Sequence, residues 1–152
     1  MQFQQTIRKP VTCSGVGLHS GCRVSVTLMP APLDTGIAFI RKDVSGSPQI
    51  QVSIENIRPA LLSTTVGIDG VQVQTIEHLL AAASGLGIDN LLVEIDAPEL
   101  PALDGSAQAF VRLMLEAGIV SQDRRRSYLK VVRPIEVIEG DKRIAIRPAS
   151  KS

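Results

Sequence analysis

The sequence predicts an α+β fold: a two-layer sandwich of a mostly antiparallel sheet with two main helices on one face, followed by a C-terminal hairpin. Three observations carry this expectation. Apolar and polar residues alternate through several short runs in the first half of the chain. Two segments near the middle repeat apolar residues at helical spacing instead. Two further extended runs, separated by Glu139-Gly140-Asp141, close the chain.

Residues 3–7 read as the first strand. In residues 23–29, Val24, Val26 and Leu28 alternate with polar neighbours, the pattern of a half-buried strand. Pro30, Pro32, Asp34 and Gly36 then punctuate a loop. Short strands are expected at 36–41, 50–54, 64–68 and 71–73. Asp69-Gly70 is a hairpin turn between the last two.

Thr75 is read as the N-cap of the first helix. Ile76, Leu79, Leu80 and Ala83 form its core stripe, and Gly85 and Gly87 supply its stop. Residues 90–95 follow as a strand, nearly continuous in apolar character. A loop over 97–104, bearing Pro98 and Pro101, leads to a second helix at about 106–117. Its stripe is Phe110, Leu113, Met114 and Ala117, and Gly118 ends it. Each helix carries a second small or apolar face: His78, Ala82 and Gly85 on the first, Val111 and Leu115 on the second. Helices apolar on two sides sit between two layers.

Residues 122–126, including Arg124-Arg125-Arg126, read as a solvated polar linker. Residues 128–132 and 135–138 read as extended, with 143–146 as the return strand of a hairpin. A lone hairpin is marginal in water. The organisation expected is therefore an N-terminal domain over 1–121, a linker over 122–126, and the truncated start of a second domain over 127–152.

Composition bounds the function. The 152 residues include three Phe, one Tyr and no Trp, so Val, Ile, Leu and Ala must build the core. A net charge of +1 gives no bulk attraction for nucleic acid or acidic membranes. No apolar run approaches the roughly 20 residues needed to span a bilayer. Cys13 and Cys22 lack CxxC spacing, and no signal peptide is legible, so the thiols read as reduced and the protein as cytoplasmic.

Glu77-His78 is the main chemical signal. A carboxylate beside an imidazole at a helix start is the minimum kit for activating water at a metal. It equally fits a solvated first turn, where Glu favours the helix dipole. A zincin pattern is excluded, because Ala82 stands where the second His would be. His19 lies in Gly15-Val16-Gly17-Leu18-His19-Ser20-Gly21, either a glycine-rich turn between strands or backbone approached closely by a ligand. Asp104-Gly105-Ser106 reads as capping and turn chemistry. Ser63-Thr64-Thr65 lines a pocket or simply forms strand.

The glycine-rich segment 15–21, Thr75-Ile76-Glu77-His78-Leu79-Leu80-Ala81-Ala82, Gly85-Leu86-Gly87-Ile88-Asp89-Asn90 and the segment 97–107 occur in that order. This set resembles the N-terminal half of UDP-3-O-acyl-N-acetylglucosamine deacetylase, the zinc amidase of lipid A biosynthesis in Gram-negative bacteria. The resemblance implies two similar α+β domains whose helical layers face each other across the active site. It implies that His78 is a zinc ligand and Glu77 the general base in hydrolysis of the substrate N-acetyl group. It places His19, Leu62 and Ser63 at the substrate, with Ser63 where many members have Cys. It also implies that a second His and an Asp from an HKxxxD-type motif, another His and a Lys come from the second domain. This chain has only two His, so its zinc site is expected to be incomplete and the isolated chain inactive. The missing domain is one expected partner. The alternative is a non-catalytic module that dimerises or binds a partner through its exposed helical face.

Overall fold

The computed structural model describes residues 2–149. These form twelve strands and two α-helices: β1 (Phe3–Ile7), β2 (Val11–Val16), β3 (Arg23–Pro30), β4 (Ile37–Arg41), β5 (Gln49–Gln51), β6 (Ile57–Arg58), β7 (Thr65–Ile68), β8 (Val71–Val73), α1 (Glu77–Leu86), β9 (Leu91–Ile95), α2 (Gln108–Ala117), β10 (Ile119–Arg125), β11 (Ile135–Glu139) and β12 (Lys142–Ile146). The architecture is α+β with mostly antiparallel sheets, as the sequence predicts.

The main sheet has the order β2-β3-β9-β4-β5. Register explains its core. Cys13 pairs with Val26 and Val26 with Ile95; Phe39 pairs with Val93 and with Ile50. Paired residues share a face, and side chains alternate along each strand. Val24, Val26, Leu28, Leu91, Val93, Ile95, Phe39 and Ile50 therefore all point to one side, and all are buried. Leu79, Ala82 and Ala83 of α1 and Phe110, Met114 and Ala117 of α2 join the same cluster, so both helices cover that face. The β4–β9 pairing is parallel, which the intervening crossover through α1 permits.

Helix α1 stops as its sequence requires. Gly87 sits at φ 69°, a left-handed cap that costs an L side chain more than glycine, and Ile88 N–H returns to Ala83 O at 2.9 Å. Ala82 is buried rather than part of a free second face; the solvent side of α1 is Ala81, Ser84 and Gly85. Helix α2 begins at Gln108, two residues later than expected. Ser106 Oγ accepts from Gln108 N–H and donates to Asp104, so Asp104 and Ser106 form the turn that enters the helix.

The strand β2 is not anticipated by the sequence reading, because its inward positions are Val11, Cys13 and Gly15, too small to advertise a core stripe. The strand expected at 50–54 ends at Gln51, and a 3₁₀ turn at Ile54–Asn56 precedes β6. Residues 128–132 pair with no strand.

Residues 122–126 are not a free linker. Strand β10 runs through Arg125 and pairs antiparallel with β1. The reason is a polar network. Asn90 is buried and donates to Gln4 Oε1 at 2.8 Å and to Gln122 Oε1 at 2.7 Å. Its Oδ1 accepts Gly36 N–H at 2.9 Å, and Gln122 donates to Ala31 O at 2.9 Å. Arg126 pairs with Asp89 at 2.7 Å and Arg124 with Asp34 at 3.0 Å. Asn90→Ala leaves Gly36 N–H and Gln122 Oε1 without partners, while Gln4 Oε1 keeps the Asp34 N–H at 3.0 Å, so a loss of about 2 kcal/mol is expected. A lowered urea midpoint at unchanged slope checks it.

Strands β6-β7-β8 form a small second sheet, and β11 and β12 form the expected hairpin. Ile135 pairs with Ile146 and Val137 with Ile144, which makes an apolar stripe on one hairpin face, and all four residues are exposed. At the end of the chain, residues 150–152 of the segment read as a second-domain start lie outside the described residues. No helix among the described residues is long and apolar enough to cross a membrane.

Candidate active site

Strand β8 feeds α1 through Gln74 and Thr75. Thr75 is not the helix N-cap. It is buried at φ 59°, a left-handed conformation that is a genuine outlier for a β-branched residue. Its hydroxyl donates instead to Glu99 Oε1 at 2.8 Å. Helix α1 has no side-chain cap, and Glu77 occupies its first turn, where a carboxylate is favoured.

Glu77 is half-buried and anchored. Thr64 N–H donates to Glu77 Oε2 at 3.0 Å, and Ile76 N–H returns to Thr64 O at 3.3 Å. The pair of bonds brings the segment holding Leu62 and Ser63 to the start of α1. Ser63 is half-buried, with Oγ 3.5 Å from Thr65 Oγ1; Leu62 is 84% exposed at φ 59°. His78 follows Glu77 and is half-buried. No group of three His, Cys, Asp or Glu side chains placed to hold a metal ion occurs among the described residues. A catalytic zinc takes three protein ligands. The described residues therefore do not by themselves fit a zinc site.

His19 is exposed on the glycine-rich loop after β2. Its backbone N–H donates to Glu99 at 3.0 and 3.2 Å, and Ser20 N–H donates to Glu99 Oε2 at 2.7 Å. Gly17 makes room here: a Cβ would collide with Glu99 Oε2 and Ser20 Oγ and displace the carboxylate from its partners. Glu99 is 0% exposed. Burial pushes its carboxyl up, but bonds from the Ser20 hydroxyl, the His19 and Ser20 amides and the Thr75 hydroxyl outweigh it and hold the pKa at about 2. One buried carboxylate thus joins the His19 loop to the turn before Glu77.

Sequence reasoning gives Glu99 no role and reads Thr75 only as a helix cap. The available signal is an acid inside Pro98-Glu99-Leu100-Pro101, an apolar setting that demands partners. The backbone of Cys22 closes the His19 loop, its N–H donating to Ser20 Oγ at 3.3 Å and its carbonyl accepting Gly17 N–H at 3.0 Å. Cys13 faces the core, where burial pushes its thiol up, and Cys22 is exposed; both are free.

Comparison with known proteins bears on the family of the chain. Residues 4–152 match the family model for UDP-3-O-acyl N-acetylglycosamine deacetylase. The chain is 47% identical over 149 residues to the UDP-3-O-acyl-N-acetylglucosamine deacetylase of Shewanella oneidensis, covering 97% of this chain and 49% of that protein. Its counterparts in Shewanella sp. strain W3-18-1 and Shewanella baltica strain OS155 are 47% and 46% identical over the same length, with the same shares of each chain covered. The chain spans about half the length of the curated relatives it matches. With its ordered motifs, its α+β sheet and this breadth of match, the chain belongs to the UDP-3-O-acyl N-acetylglycosamine deacetylase family.

Proposed function

We propose that this chain supplies one half of a cytoplasmic, zinc-dependent deacetylase that hydrolyses the N-acetyl group of UDP-3-O-acyl-N-acetylglucosamine in lipid A biosynthesis. The observation that carries the reading is the anchored Glu77 beside His78. Thr64 N–H holds one carboxylate oxygen, which fixes the carboxylate and leaves the second oxygen to take a proton from water. As general base, Glu77 accepts that proton while the water oxygen attacks the acetamide carbonyl. The carboxyl then returns the proton to the departing amine, so acetate and a free amine result. His19, Leu62 and Ser63 line the substrate side.

Zinc, when bound, supplies Lewis-acid polarisation. His78 is one ligand, and the others come from residues outside this chain, the second His and the Asp that the resemblance implies. Of the organisation read from the sequence, the domain over 1–121, to which β10 pairing joins residues 122–125, and the segment 127–152 belong to this proposal, with the last opening the domain that brings those ligands.

The 152-residue chain alone is expected to release no acetate. The same chain fused to the remaining half of the Shewanella oneidensis relative is expected to release acetate from UDP-3-O-acyl-N-acetylglucosamine. A folded, zinc-loaded fusion without that activity overturns the reading, as does full activity from the chain alone.

A further inference from the structure

Three costly residue choices meet at one point of the fold. Glu99 is a fully buried carboxylate whose hydrogen-bonding partners are all neutral donors. Burying a charge without a counter-charge is expensive, and an apolar side chain packs such a position at lower cost. Thr75 holds a left-handed backbone that β-branched residues rarely adopt. Gly17 leaves room for the Glu99 carboxylate, which a Cβ there would displace. None of these choices improves the core. Each serves a contact between the His19 loop and the turn preceding Glu77 and His78.

The backbone around Glu99 has the same arrangement. Gly17 bridges Pro101, and Ala102 N–H donates to Val16 O at 2.9 Å. On the other side Gln74 bridges Glu99, Gln74 N–H donates to Pro98 O at 2.9 Å, and Leu100 N–H donates to Gln74 O at 3.1 Å. The segment 98–102 therefore lies between the two site-bearing pieces, and Glu99 is its side-chain link to both.

We propose that Glu99 is a positioning residue for the hydrolysis: through the amides of His19 and Ser20 on one side and the Thr75 hydroxyl on the other, it fixes the His19 loop relative to Glu77 and His78. It touches no reacting atom. It keeps the two halves of the chain's contribution to the site in one geometry, and a displacement of about 1 Å between reacting groups costs up to a hundredfold in rate. The inference rests on the deacetylase reading for its catalytic consequence, and on the bonds alone for its structural one.

The test removes the link without removing the buried acid. Thr75→Val keeps the β-branched shape and deletes the hydroxyl; Thr75→Ser restores a hydroxyl. In the 152-residue chain, amide spectra and hydrogen exchange are read at His19, Ser20 and His78. Thr75→Val is expected to shift these resonances and to speed His19 and Ser20 exchange by about tenfold, whereas Thr75→Ser leaves both near wild type. In the fused protein, Thr75→Val is expected to lower kcat by about 10- to 100-fold with KM little changed, and Thr75→Ser to recover most of it. Wild-type spectra and exchange for Thr75→Val overturn the link. Wild-type kcat for Thr75→Val in an active fusion overturns its role in positioning and leaves the deacetylase reading standing. An inactive wild-type fusion overturns that reading, while the spectra still decide the link.

Discussion

Glu77→Gln in the fused protein is expected to lower kcat by about two to four orders of magnitude, with KM and the melting temperature little changed. The glutamine carbonyl still accepts Thr64 N–H, so the turn that brings residues 62–64 to α1 survives. What is lost is the ability to take a proton, because an amide oxygen is far less basic than a carboxylate. Single-turnover acetate release measures the chemical step directly. An activity within tenfold of wild type means that another group is the base, and the role assigned to Glu77 fails.

Acid is expected to weaken the fold through Glu99, by about 3 kcal/mol. The carboxyl titrates near 4.5 when the chain is unfolded and at about 2 when folded. The folded carboxyl is the stronger acid, so at pH 7 its bonds contribute their full stabilisation. Below pH 4.5 the unfolded chain takes up a proton that the folded chain refuses, and the contribution fades until it is gone near pH 2. Asp43 and Asp104 act in the same direction, held low by Arg41 and by the Ser106 backbone respectively. Comparison with Glu99→Gln isolates the larger share. Urea denaturation between pH 7 and pH 2.5 should show a steeper loss for wild type than for the variant. Parallel curves would remove Glu99 as the source.

Legibility of the fold follows side-chain size and sequence distance. Helix α1 is readable because Ile76, Leu79 and Ala83 recur at helical spacing and Gly87 ends it. Strand β3 is readable from Val24, Val26 and Leu28. Strand β10 is not, because what holds it is the amide of Gln122 in a network with Asn90, 32 residues away. Polar residues read locally as solvated, and only their distant partners reveal otherwise. The candidate site divides the same way. Glu77 and His78 are adjacent and announce themselves. The bond from His19 to Glu99 spans 80 residues, so no local window contains it. The N-cap reading of Thr75 fails for the same reason: its hydroxyl finds a buried acid 24 residues on rather than a helix amide.

The β11–β12 hairpin is expected to promote association of this chain with its own copies. Its Ile135, Val137, Ile144 and Ile146 face solvent together, and its two strands pair with each other alone, which leaves an open edge on each. Such edges template strand addition from other molecules. A net charge of +1 provides almost no repulsion to oppose it. This ribbon is therefore expected to lower the concentration at which the chain stays in solution, which light scattering across a concentration series checks. Val137→Lys or Ile144→Lys is expected to raise that concentration while leaving Glu77 and His78 untouched.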